Sequence, residues 1–157
     1  MTKKVVLFVG LPGAGKTTLM KRAAKLIGEQ YNEVHIFDDL SENFAMFEEF
    51  LNHVVDDATI FIADPKLTAV SSYDTVLDNL KKWFGTAVEV AFVVFSNEPD
   101  LAKSNVHRRR DDGSDTRVVT DATINHWSSL YNPVELGWLC INRGIPYLWV
   151  STYDGTV

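Results

Sequence analysis

The sequence predicts an α/β fold of three layers, with helices on both faces of a mainly parallel five-stranded sheet. Three observations point there. Five short apolar runs of strand length alternate with segments of helical spacing along the chain. The first run, Lys4-Val5-Val6-Leu7-Phe8-Val9, leads directly into the glycine-rich stretch Gly10-Leu11-Pro12-Gly13-Ala14-Gly15-Lys16-Thr17-Thr18. A helical segment from Leu19 to Ile27 follows, with Gly28 as its stop.

That stretch fits G-x-x-x-x-G-K-[ST] at every fixed position. It lies between a buried strand and a helix start, where a phosphate-binding loop belongs. Gly10, Gly13 and Gly15 allow backbone angles that let several N–H groups converge on one anion. The following helix adds its N-terminal partial charge and its unfilled donors. Lys16 is expected to reach the β- and γ-phosphate oxygens, and the Thr17 hydroxyl to hold magnesium. The nucleotide-binding set is thus Gly10, Gly13, Ala14, Gly15, Lys16, Thr17 and Thr18. ATP and Mg2+ are the expected co-substrate and cofactor, and the fold class becomes a P-loop NTPase fold.

The remaining elements follow in order. Val34-His35-Ile36-Phe37 reads as the second strand and ends in Asp38-Asp39. Ser41 can cap a helix whose apolar positions are Phe44, Phe47, Leu51 and Val54. Thr59-Ile60-Phe61-Ile62-Ala63 is the third strand, ending at Asp64-Pro65. A helix from Ser72 to Phe84 carries Tyr73, Val76, Leu77 and Leu80 on one side, and Gly85 stops it. The run from Ala87 to Phe95 is the most β-rich in the chain. A helix from Asp100 to Arg110 then gives way to Asp111–Arg117, polar and glycine-bearing, read as a mobile loop. A helix from Asp121 to Leu130 follows. Asn132-Pro133-Val134-Glu135 starts another, which runs to Asn142 with Gly144 beyond its end. Tyr147-Leu148-Trp149-Val150 is the last strand. Ligands are expected at the carboxyl ends of the strands.

The 157 residues suffice for one domain with a real core, and no internal repeat or linker divides them. Apolar residues make up 46%, yet no run approaches the roughly 20 residues of a membrane span. Only Met1-Thr2-Lys3 precedes the first strand, which leaves no room for a signal peptide. The lone Cys140 excludes an internal disulfide and suits a reducing, cytoplasmic compartment. The net charge of −6 argues against a broad nucleic-acid footprint, though not against a local basic site.

Asp38, Asp39 and Asp64 all fall at strand ends, facing the expected phosphates. A carboxylate there can hold magnesium or its water shell, or take a proton from an attacking hydroxyl. Spacing alone does not tell which of Asp38 and Asp39 points inward. Arg108, Arg109, Arg110 and Arg117 flank the polar loop as the densest positive patch, suited to a phosphate lid. Asn97-Glu98-Pro99-Asp100 lacks the lysine of a guanine-specific Asn-Lys-x-Asp signature, and Asp64-Pro65-Lys66-Leu67 lacks the glycine of a GTPase switch. His35, His53, His107 and His126 have no metal-ligand spacing. Trp127, Trp138 and Trp149 are expected in the core, and Tyr131 stays unassigned.

Several short motifs then converge on a known group. The loop, the Asp38-Asp39 pair, the Ile62-Ala63-Asp64 strand end, the Asn105-to-Arg108 spacing and the stretch from Ile124 through Tyr131-Asn132-Pro133 together resemble the kinase domain of phage polynucleotide kinase and its small relatives. These include phage kinases of hydroxymethylated pyrimidines in DNA. The resemblance implies one kinase domain over residues 1–157 and a small arginine-bearing lid. It implies ATP-dependent transfer of the γ-phosphate to a hydroxyl of a nucleic acid or nucleotide, in a host cytoplasm if phage-encoded. Asp38 becomes the general base, Arg108 the lid arginine on the donor phosphates, and Asp39, Asp64 and Arg117 acceptor-side residues. The family's arginine for the acceptor 3′-phosphate is replaced by Ser41, and another, before the lid asparagine, by Ser104. These departures leave a mononucleotide kinase and a nucleotide-dependent regulatory binding module as alternatives.

Overall fold

The computed structural model describes residues 3–28, 34–69, 73–113 and 119–153. Among these, β1 (Lys4–Val9), β2 (Val34–Phe37), β3 (Thr59–Ala63), β4 (Glu89–Phe95) and β5 (Tyr147–Val150) form one sheet, ordered β2-β3-β1-β4-β5. Every pairing is parallel. β1 lies in the middle, with Leu7 beside Ile62 on one side and Phe92 on the other. The helices are α1 (Lys16–Gly28), α2 (Phe44–Leu51), α3 (Tyr73–Phe84), α4 (Pro99–Asp111), α5 (Asp121–Leu130) and α6 (Pro133–Arg143).

The twofold period of the strands builds two cores. Val5, Leu7 and Val9 join Ile60, Ile62, Phe92 and Val94 on one face, under Phe47 of α2, Leu80 and Phe84 of α3, and Leu136 and Cys140 of α6. Phe8, Phe61, Val93 and Phe95 point the other way, onto Met20 of α1. The result is the expected three layers. Near-continuous apolar strands are what a parallel sheet covered on both faces requires.

Local chemistry sets most helix ends as the sequence indicates. Thr120 caps α5 by accepting from the Thr123 N–H, and Asn132 caps α6 by accepting from the Glu135 N–H. Gly144 closes α6 in the left-handed region at φ 63°. The start of α2 differs from expectation. Its cap position is Asn43, whose amide donates back to the carbonyls of Asp38 and Asp39. Ser41 sits in the preceding turn, and Val54 lies beyond the helix. A 3₁₀ turn over Pro65–Ala69 was not anticipated. Ser72 falls outside the described residues, as do residues 114–117 of the polar loop.

The tryptophans need correction. Trp138 is 60% exposed and Trp149 45%. Among the described residues β5 is an edge strand with β4 as its neighbour, and α6 leaves Val134, Trp138 and Ile141 exposed on its outer face. Trp127 packs partly on the core but also lines the cleft described below. No helix among the described residues is long and apolar enough to cross a membrane.

Tyr131, which the sequence left open, is a buried fastener. Its hydroxyl reaches the carbonyls of Val9, 3.1 Å away, and Phe95. Burial holds its phenol far above the ordinary range, so it stays neutral and donates. Tyr131→Phe is expected to lower the unfolding free energy by about 1–2 kcal/mol, read by urea denaturation. Burial also pushes the Cys140 thiol up to about 11. Folding thus favours the neutral thiol, a contribution complete below about pH 9 and lost as pH rises towards 11. Iodoacetamide at pH 8 is expected to spare Cys140 in the folded chain and label it in denaturant, as mass spectrometry would show.

Candidate active site

The carboxyl ends of β1, β2 and β3 open onto a cleft of about 430 Å3, lined by Gly13, Gly15, Lys16, Thr17, Asp38, Asp39, Asp64 and Arg109 among others. The glycine-rich loop forms its floor. Gly13 and Gly15 adopt φ of 86° and 102°, where side chains are strained. Space forbids a side chain as firmly. A Cβ on Gly13 would stand 2.4 Å from the Ala102 carbonyl oxygen, and one on Gly15 2.9 Å from the Tyr153 Cβ. The loop is therefore wedged between α4 and the chain that follows β5.

One side chain locks that wedge. The Asn105 amide donates to the carbonyls of Gly13, at 2.9 Å, and Tyr153, at 2.5 Å. The Tyr153 N–H donates in turn to the Ala14 carbonyl at 3.1 Å. Asn105 is 3% exposed, so these bonds form away from water. Thr152 and Ser96 bond each other's main chain nearby and tie the ends of β4 and β5 together.

Lys16 is buried, and its ammonium donates to the Gly10 carbonyl at 2.7 Å. It thus lies folded across the loop. The Thr17 hydroxyl donates to a carboxylate oxygen of Asp38, so Asp38 is the member of the acidic pair that reaches the loop. Asp39 also borders the cleft, in a turn with φ 51°. Asp64 is buried, and both of its oxygens accept main-chain bonds, from Ser41 at 2.6 Å and from Lys66 at 2.9 Å. Its carboxylate fastens the turn after β2 to the turn after β3.

The arginines separate by helical phase. Arg109 lines the cleft. Arg108 is exposed, with its guanidinium 5.7 Å from the centre of the Tyr153 ring, a cation–π distance. Arg110 donates to the Val119 carbonyl at 2.7 Å, in the chain ahead of α5, and His107 lies 2.8 Å from an oxygen of Asp121 in the first turn of α5. Arg117 lies outside the described residues. Sequence reasoning did not single out Tyr153 or Lys66, and it took Trp127 for core alone. An aromatic directly after the last strand, at the carboxyl edge of the sheet, was the available signal for Tyr153.

Residues 1–65 match the model of the Zeta toxin family. That span holds the loop and all three strand-end aspartates, but none of the arginines on α4. Among curated proteins none matches the chain. Solved structures are also similar, three among them at TM-scores near 0.6. One comes from the PezAT chromosomal toxin-antitoxin system of Streptococcus pneumoniae, at 17% identity and TM-score 0.60, covering 96% of this chain and 69% of that one. Polyphosphate kinase 2 from Arthrobacter aurescens is 12% identical with TM-score 0.59, and this chain spans 61% of its length. A kinase candidate from Chloroflexus aurantiacus is 16% identical with TM-score 0.58, over 99% of this chain and 89% of that one. The chain has a P-loop kinase fold.

The residues fit a magnesium–triphosphate. Asp38, Asp39, Glu42 and Asp64 face Lys16, Lys66 and Arg109 around the cleft, so it holds no surplus positive charge for a bare polyanion. The Thr17 hydroxyl is a hard oxygen donor of the kind magnesium takes alongside phosphate oxygens, and the Asp38 carboxylate stands beside it. No cluster of three acidic, histidine or cysteine side chains among the described residues offers a separate cation cage.

Gly13→Ala is expected to cost about 1–3 kcal/mol of stability, since it meets both an unfavourable φ and a backbone oxygen. Gly28, with nothing within 4 Å of its missing Cβ, is the control. Gly28→Ala is expected to be neutral or to stabilise by about 0.4–1 kcal/mol. Urea unfolding of the two variants checks the contrast.

Proposed function

We propose that residues 1–157 act as one ATP-dependent, magnesium-requiring kinase domain, which transfers a γ-phosphoryl group to a hydroxyl of a nucleotide or nucleic acid. The contact between Asp38 and Thr17 carries the reading. It puts a carboxylate at the mouth of a phosphate loop, opposite the residue type that positions metal and phosphate. The P-loop kinase fold, the Zeta toxin match over the loop and aspartates, and the kinase neighbours support the same chemistry. Candidate acceptors are the 5′-hydroxyl of a polynucleotide and a hydroxymethylpyrimidine in DNA. The lone buried cysteine suits work in a reducing cytoplasm.

The roles follow from position. Lys16 leaves the Gly10 carbonyl and turns onto the β- and γ-phosphate oxygens, while the N–H groups around Gly13 and Gly15 hold the phosphate chain. Magnesium, when bound through Thr17 with Asp38 beside it, would neutralise charge on the phosphates. Asp38 accepts the proton of the acceptor hydroxyl. That oxygen bonds to the γ-phosphorus as the bond to the β–γ bridging oxygen breaks, and ADP leaves with that electron pair. Arg109 faces the transferring group from α4. Arg108, over Tyr153 beside the loop, is the arginine that the resemblance puts on the donor phosphates. The protein contributes position and charge, which is nearly all that phosphoryl transfer asks of it.

The test is transfer of labelled γ-phosphate to 5′-hydroxyl DNA and RNA, hydroxymethyluracil-containing DNA and mononucleotides. Asp38→Asn is expected to lower kcat by about 10²–10⁴ while calorimetric ATP affinity changes little. Arg109→Ala is expected to slow turnover more than Arg108→Ala. ATP binding with every acceptor unlabelled would overturn the reading in favour of a regulatory module.

A further inference from the structure

A second hollow, of about 330 Å3, opens beside the catalytic cleft. Phe44 at the start of α2 and Val76, Leu80 and Trp83 of α3 give it an apolar wall. Its size falls at the lower end of the roughly 300–1,000 Å3 usual for small-molecule sites. The hollow and the cleft share Ser41, Asp64 and Lys66 along one edge. Asn43, immediately before Phe44, is bonded to the carbonyls of Asp38 and Asp39. A molecule seated against Phe44 therefore has its near end at the acidic turn.

The wall is built for a ring. The Phe44 and Trp83 rings are 6.1 Å apart between centroids and tilted by 57°. Phe47 holds Trp83 edge-on from behind at 5.1 Å. Trp83 is thus fixed, while Phe44 stays 38% exposed at the rim. Asn79, exposed to solvent, also lines the hollow. An amide presents a donor and an acceptor together, which is what the edge of a heteroaromatic base pairs with.

Charge decides what else the occupant carries. Both oxygens of Asp64 are engaged by main-chain N–H groups. Lys66 is the single cation among the described residues lining the hollow, which include no arginine. The hollow thus offers a second phosphate one point charge, on the edge shared with the cleft, and no forked donor on its apolar wall.

We infer that this hollow seats the uncharged ring of the acceptor, a nucleobase, and that Phe44, Asn79 and Trp83 select the acceptor by its base rather than by an extra phosphate. The inference rests on the kinase reading for the hydroxyl's destination at Asp38. The ring belongs to a free nucleoside or to the terminal residue of an oligonucleotide, and the test separates the two.

The measurement is tryptophan fluorescence without ATP, taken as the difference between the wild-type chain and Trp83→Phe. Nucleosides and a short 5′-hydroxyl oligonucleotide are titrated in, with ribose 3-phosphate as the base-free probe. Nucleosides are expected to quench the Trp83 component and ribose 3-phosphate to leave it unchanged. Phe44→Ala is expected to weaken that binding about three- to tenfold, the scale of one aromatic contact. It should raise the acceptor KM equally, with the ATP KM unchanged. Equal affinity for nucleoside and oligonucleotide assigns the free nucleoside; tenfold tighter oligonucleotide binding assigns the polymer end. Silence of Trp83 towards both at millimolar concentration, or equal quenching by ribose 3-phosphate, overturns the inference. Silence with transfer intact leaves the kinase reading standing. Quenching without transfer to any acceptor defeats the kinase reading and leaves the ring site.

Discussion

The two hydrogen bonds from the Asn105 amide hold the site in shape. Gly13 and Tyr153 are far apart in sequence, and one buried side chain binds the carbonyls of both. A phosphate loop is a set of main-chain donors, and donors work only if their carbonyls are held turned away. Asn105 takes the Gly13 carbonyl and Lys16 takes that of Gly10. Those two carbonyls are therefore turned away from the cleft before any anion arrives, while the Ala14 N–H is spent on the Leu11 carbonyl within the loop. The buried amide also needs no choice of orientation, since two acceptors flank the same end and only its NH2 group satisfies both.

Much of this was legible in the sequence. All five strands were found, because a parallel sheet covered on both faces writes itself as apolar runs. The phosphate loop was unmistakable, because its glycines answer a steric demand made by the chain itself. The Asn132 cap and the Gly144 stop were readable for the same reason: their causes lie within a few residues. What escaped depends on neighbours distant in sequence. Trp149 reads as core in its own run, and only the strand order reveals it as an edge residue. Trp127 divides its surface between the core and the cleft, which no local pattern records. Arg108 and Arg109 are adjacent letters, yet helical phase sends one over Tyr153 and the other to the cleft. Asp64 looked like an acceptor-side acid, and the structure adds that both its oxygens fasten turns.

The cleft also shows how the fold reconciles opposite charges. A transferring phosphoryl group needs cations, while an activated hydroxyl needs a base. Both signs must stand within a few ångströms without collapsing onto each other. Here the acids come from the ends of β2 and β3, and the cations from the loop, the 3₁₀ turn and α4. Separate elements hold them, so the charges approach from different walls. Main-chain bonds to Asp64 and a hydroxyl on Asp38 keep those two carboxylates occupied.

Ala102, Asn105 and Arg109 occupy positions i, i+3 and i+7 of α4 and so form a single stripe. The stripe supplies a surface for Gly13 to rest on, the amide that bonds it, and a guanidinium at the cleft. Packing, fastening and charge are thereby locked in phase. One residue inserted upstream in α4 would swing all three by about 100° at once. A change of length ahead of the stripe is therefore a change to all three functions together, whereas a change beyond Arg110 leaves the stripe in phase.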